Sequence, residues 1–87
     1  MKLKEGYVLR EVAGNYIVVA VGSAVKEFNG VINLNESAAF LWKQLLEDKT
    51  EEELVSALLG EYEVAEDVAK ADVKKFIDKL NGANLLQ

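Results

Sequence analysis

The chain has 87 residues, 51% of them hydrophobic and 29% charged, which is globular composition sufficient for one domain over residues 1–87 with a modest core. It contains neither cysteine nor histidine, which excludes disulfides, thiolate metal sites and the common base-activated nucleophiles. Its formal net charge of −5 has the wrong sign for a protein whose affinity comes from neutralising phosphates, so no nucleic-acid partner is expected.

From Tyr7 to Val12 the sequence YVLREV is rich in β-branched and aromatic residues, and over residues 16–21 YIVVAV is a nearly continuous apolar run. Between them AGN, residues 13–15, supplies positions tolerant of positive φ, so the two runs are expected to pair as a hairpin. Gly22 and Ser23 break the second run, and AVKEFNG leaves room for a short extension before Gly30 resets the chain. A third strand, VINL, is expected at Val31–Leu34, running into a helix without an intervening loop.

Asn35 is a good N-cap for that helix, and Glu36 is favourable beside its dipole. Ala38, Leu41, Trp42 and Leu45 recur at helical spacing with Leu46 on the flank. Phe40 falls on the other side of the wheel, either as a lid against the sheet or as a solvent-facing contact. Thr50 and Glu53 have the capping-box spacing for a second helix, whose apolar side is Leu54, Val55, Leu58, Leu59 and Tyr62. LEDKT then becomes a tight joint between the two helices. A third helix is expected from Ala65 or Glu66 to Asn81, with the stripe Ala69, Val73, Phe76, Ile77 and Leu80, and with Gly82 in the left-handed position at its end.

Strands followed by helices define an α+β class rather than alternating βαβ units. No apolar run approaches the ~20 residues of a membrane span, and the opening MKLKEGYVLREV has no signal-like core, so a cytoplasmic protein is expected. The run Glu51, Glu52 and Glu53 cannot converge on one ion, because consecutive helical residues point in different directions. The glycines match neither a phosphate-cradling loop nor a dinucleotide fingerprint. The expectation is a protein that is not an enzyme and carries no metal and no cofactor.

Lys70, Lys74, Lys75 and Lys79 make the third helix locally basic, interleaved with Asp67, Asp72 and Asp78. That pattern reads either as an ordinary solvated face or as part of a groove favouring an acidic peptide. The third strand is an edge if neighbours in sequence are neighbours in space, and VINL carries neither charge nor proline to block it. Such an edge is either covered by the third helix or the chain terminus, or open to a partner strand that adds to the sheet.

VINLNE running directly into AAFLW, then TEEELVSALLGEYEV, then DVKKFIDKLNGANLL, resembles the PqqD-like proteins over about residues 6–86. The namesake is the pyrroloquinoline quinone synthesis protein D. The most specific parts are Leu34, Asn35 and Glu36 with Ala38 and Trp42; the start at Thr50 with Tyr62 at the end; and Asp72, Val73, Phe76 and Leu80 before Leu85 and Leu86. The resemblance implies a winged helix-turn-helix-like fold, a three-stranded antiparallel sheet followed by three helices. It also implies a non-catalytic peptide chaperone that binds the leader of a ribosomally made precursor peptide as an added strand, and presents it to a modifying enzyme, typically a radical S-adenosylmethionine protein. Carried onto this chain, the ladder falls to the backbone of Val31, Ile32 and Asn33 beside Leu34, and the groove residues Asp72 and Phe76 come from the third helix. Lys75 and Lys79 join them by helical spacing with Asp72. Two segments depart from the family pattern: residues 23–30 are longer than a tight turn, leaving the register of the third strand to the structure, and GANLL replaces a shorter glycine-leucine ending.

A leader that orders on binding loses conformational entropy, so several main-chain bonds and a few apolar anchors are expected to give about micromolar affinity or somewhat tighter, roughly −8 to −10 kcal/mol. Two other readings share the fold class. One is a DNA-binding winged helix, disfavoured by the acidic balance and the mixed-sign third helix. The other is an interaction subunit, including a homodimer formed through the edge strand.

Overall fold

Ala13 and Gly14 have φ angles of 52° and 80°, the left-handed pair that a two-residue hairpin turn requires. The computed structural model describes residues 1–26 and 30–87, and this turn joins its first two strands, β1 (Tyr7–Val12) and β2 (Asn15–Ala20). They pair antiparallel from Val12 opposite Asn15 to Tyr7 opposite Ala20. Asn15, expected in the turn, is therefore the first residue of β2, and the strand ends one residue before Val21. A third strand, β3 (Val31–Leu34), lies antiparallel to β2 with Tyr16 opposite Leu34 and Val19 opposite Val31, giving the order β1-β2-β3.

The part of the β2–β3 connection that is described is a 3₁₀ turn, Gly22–Lys26, rather than a strand extension. The remainder of the expected extension, residues 27–29, lies outside the described residues. Ala24 is buried in this turn against Gly6, whose φ is 98° and at which a Cβ would lie 2.7 Å from the Ala24 Cβ.

Helix α1 (Glu36–Gln44) starts where the capping chemistry places it: Asn35 Oδ1 accepts from the Ala38 N–H at 2.8 Å. Helix α2 (Glu51–Glu61) carries the complete capping box, with Glu53 N–H donating to Thr50 Oγ1 at 3.1 Å and Thr50 N–H donating to Glu53 Oε1 at 2.9 Å. Helix α3 (Glu66–Gly82) has no side-chain cap at Ala65. Its C-terminus corrects the expectation for Gly82, which is the last helical residue. Asn84, with φ 58°, takes the left-handed position, and the Asn84 and Leu85 N–H groups return to the Asn81 and Leu80 carbonyls. That is a Schellman ending, two residues later than glycine alone suggested.

The core joins Val18, Ile32 and Leu34 of the sheet to Trp42, Leu54, Leu58 and the expected α3 stripe of Ala69, Val73, Phe76, Ile77 and Leu80, all buried. Helix α1 is rotated slightly from the sequence reading: Ala39 is buried, Ala38 is half-buried, and Leu46 is 58% exposed beyond the helix end. Phe40 is half-buried and meets the Tyr62 ring edge-on at 5.7 Å, so its partner is the end of α2. The chain start threads between the α1–α2 joint and the chain end. Leu3 N–H donates to Leu45 O at 3.1 Å, Lys4 N–H donates to Leu85 O at 2.8 Å, and Leu3 bridges Leu86. No helix among the described residues is long and apolar enough to cross a membrane.

Candidate functional site

In an antiparallel pair, residues alternate between exchanging both backbone hydrogen bonds and exchanging none. The two-residue turn makes Val12 and Asn15 a bonded pair, and the unbroken register carries that alternation across the sheet. Tyr16 and Val18 therefore turn their backbone groups toward β3 and bond Leu34 and Ile32. The N–H and C=O groups of Val31 and Asn33 point the other way, off the free edge. Their side chains are exposed, whereas those of Ile32 and Leu34 are buried at 8% and 7% exposure. Of the expected ladder residues, Val31 and Asn33 present outward main-chain groups, while Ile32 is committed to β2.

Among the described residues, one group reaches this edge: Lys79 of α3, whose Nζ donates to the Asn33 carbonyl at 2.8 Å. The chain terminus, the other expected cover, pairs with Leu3 instead. Beside the edge lies a cleft of about 120 Å³ between β3, the first turns of α1 and the flank of α3. The expected residues Leu34, Asp72, Lys75, Phe76 and Lys79 all line it, with Val31, Ile32 and Asn33 outside it along the strand. Phe76 is 4% exposed and belongs to the core cluster, so it shapes the cleft floor.

Sequence reasoning missed the α1 wall. Asn35, Ser37, Ala38 and Leu41 line the same cleft, and the small Ala38 leaves space where a larger side chain would fill it. No signal within α1 marked these residues, because the N-cap fixes where the helix starts and not which neighbour its first turn faces. Asn35, Ser37 and Asp72 also line a second opening, of about 300 Å³, that extends to Leu58, Tyr62 and Val64. The two openings thus form one path from the β3 edge to the end of α2. Burial pushes the Tyr62 hydroxyl pKa up, with the negative charge of Glu36 adding to it. The phenol stays neutral and usable as a hydrogen-bond donor well into the alkaline range.

Among the described residues no group of three metal-ligating side chains converges, and the cleft lining presents the carboxylate of Asp72, the ammonium groups of Lys75 and Lys79, the amide of Asn35 and the hydroxyl of Ser37. What it offers is an unpaired strand edge beside a channel with an apolar floor and charged rims.

A strand edge next to a helix flank is the geometry that strand addition uses in peptide-binding domains. The family model of coenzyme PQQ synthesis protein D (PqqD) matches residues 9–86, and the chain belongs to that family. Its members are non-catalytic proteins. Two solved structures share the fold. TbiB1 in complex with the TbiA(beta) leader peptide is 23% identical with a TM-score of 0.76, over 100% of this chain and 95% of that one. Lasso peptide synthetase B1 complexed with the leader peptide is 19% identical with a TM-score of 0.72, over 97% of this chain and 93% of that one. No curated protein matches the chain.

Proposed function

We propose that this protein is a leader-peptide recognition element: it binds the leader of a ribosomally made precursor peptide as a fourth strand on β3 and holds it against α3 for a modifying enzyme. The observation that carries the reading is the pair of outward-facing residues on β3, Val31 and Asn33, set beside a cleft lined by the five α3 and β3 residues expected to hold a peptide. Both structural relatives are described with a leader peptide bound, and the chain belongs to the PqqD family. The enzyme served is, on the family resemblance, of the radical S-adenosylmethionine type, and the encounter takes place in the cytoplasm.

Adding a strand uses main-chain bonds, which any sequence can make, and takes specificity from side chains that enter the cleft on alternate positions. Here the accessible floor is small, so affinity comes from several modest contacts and the peptide stays releasable. The test is an amide NMR titration with a synthetic leader taken from a short peptide gene adjacent to this one. Shifts concentrated at Val31, Asn33 and residues 72–79 are expected. Flat spectra at high peptide excess would overturn the reading. Co-purification with a radical enzyme encoded alongside tests the partner separately, and its failure would leave leader binding untouched.

A further inference from the structure

Lys79 makes a contact at an acceptor that a docking strand would use. Its ammonium group donates to the Asn33 carbonyl at 2.8 Å, and that carbonyl is one of the outward acceptors an added strand would use. An incoming backbone N–H and the Lys79 ammonium compete for one oxygen. Among the described residues Lys79 has no carboxylate partner, and neither has Lys75 one turn earlier, whereas Lys70 is held by Glu66 at 3.8 Å. Lys79 lies at the mouth of the cleft, and among the described residues no carboxylate is within ion-pair distance of it.

We infer that Lys79 is an intramolecular placeholder on the β3 edge, and that the peptide this protein binds carries an acidic side chain which receives the Lys79 ammonium as the peptide backbone takes over the Asn33 carbonyl. This rests on the docking reading above and adds to it the chemistry of the ligand. Exchanging a neutral acceptor for a carboxylate turns an ammonium–carbonyl hydrogen bond into one between opposite charges, which offsets the loss of the internal contact. A peptide without the acid must displace the same contact and leaves the ammonium without a protein acceptor. Discrimination therefore comes from both sides, a gain for the right ligand and a loss for the wrong one.

The rest of the molecule sharpens the choice. With a net charge of −5, the surface at large repels acidic peptides, and the Lys75–Lys79 flank is a local exception that selects where they land. Asp72 lies seven residues before Lys79 on the same flank and lines the same cleft. That is about 10 Å along the helix axis, or roughly three residues of an extended strand. The ligand is thus a strand-forming peptide with a carboxylate at the Asn33 end and, two or four residues away so that both side chains face α3, a donor or cation facing Asp72.

The experiment selects binders from a random twelve-residue peptide library displayed on phage, using the wild-type protein and Lys79→Glu in parallel. Peptides recovered by the wild type are expected to share an Asp or Glu at one position, and those recovered by Lys79→Glu to lose it or replace it with Lys or Arg. For one recovered peptide, Lys79→Met is expected to weaken binding at least fivefold, and the same change to leave binding of the peptide's Glu→Gln version unchanged or tighter. Peptides that bind without a shared acid, or a Lys79→Met effect equal for the acidic and amide versions, would overturn the inference while leaving strand docking in place. If neither protein recovers any binder, the docking reading falls and this inference falls with it. A readout without any peptide tests the placeholder directly: the Asn33 carbonyl ¹³C resonance is expected to shift in Lys79→Met, and an unchanged resonance means that the amine does not hold that oxygen.

Discussion

Leu80 and Leu85 are both completely buried, and the N–H of Leu85 donates to the carbonyl of Leu80 at 2.9 Å. The bond closes the end of α3 and the side chains pack the residues either side of that closure into the core. Between them Asn84 takes the left-handed conformation, φ 58°, so the reversal depends on a residue that tolerates positive φ. Asn84→Gly is expected to leave stability unchanged or slightly raised, and Asn84→Ala to lower it by about 1 kcal/mol, because an alanine Cβ is unfavourable there. Urea denaturation of the two variants checks this, and equal midpoints for them would show that the conformation is not the stabilising element.

Gly6 and Ala24 pack closely where the chain leaves β2. Gly6 has φ 98°, and a Cβ there would come within 2.7 Å of the Ala24 Cβ. Gly6→Ala is expected to destabilise by ~2 kcal/mol or more, combining backbone strain with the clash. Since the Gly6 carbonyl also accepts from the Val21 N–H at 2.7 Å, the loss should appear locally as faster hydrogen exchange at Val21 before it appears globally. Exchange at Val21 as slow as in the wild type would refute the coupling.

The capping box of α2 gives a prediction in pH. The Glu53 carboxylate accepts from the Thr50 backbone N–H, and this bond holds its pKa below the ordinary glutamate value of 4.5. A depressed folded-state pKa contributes stability that is present above the unfolded value and is lost as pH falls through the folded one. The wild type should therefore lose stability on acidification below about pH 4.5 more steeply than Glu53→Gln. Removing the other half of the box, Thr50→Ala, is expected to cost about 1 kcal/mol at neutral pH. Thermal melts at neutral and acid pH separate the two effects, and parallel acid profiles for wild type and Glu53→Gln would show that the carboxylate is not the titrating cap.

How much of this was legible follows from which rules are local. Strand and helix positions were readable because alternation in Val31–Leu34 and the caps at Asn35 and Thr50 are fixed by neighbours within a few residues. The end of α3 was misplaced because glycine is the more permissive left-handed residue, so Gly82 outranked Asn84; what decided the matter was the burial of Leu85 against Leu80. On the α3 side of the cleft, Asp72 and Phe76 came with the family resemblance, and helical spacing added Lys75 and Lys79 to the flank of Asp72. The α1 wall, with Ser37 and Ala38, depends on how α1 crosses α3, and nothing within either helix encodes that angle. The bond from Lys79 to Asn33 spans forty-six residues, and the threading of Leu3 beside Leu45 and Leu85 is equally non-local.

The edge itself can be tested with proline, because the two kinds of position on β3 respond oppositely. Val31 opens the strand, its side chain is 56% exposed and its N–H points off the sheet, so Val31→Pro removes an outward donor without touching the β2 ladder. It should fold with nearly native stability and bind a leader at least tenfold more weakly, about 1.4 kcal/mol, since the pyrrolidine ring both lacks the donor and obstructs the approaching strand. Ile32 is the contrast: its N–H faces Val18 and its side chain is buried, so Ile32→Pro should destabilise by ~3 kcal/mol or more. Circular dichroism melts and a peptide-binding assay on both variants make the comparison. If Val31→Pro folds and binds as tightly as the wild type, the leader does not use the outward groups of Val31, and the ladder over Val31 and Asn33 is refuted at its first position.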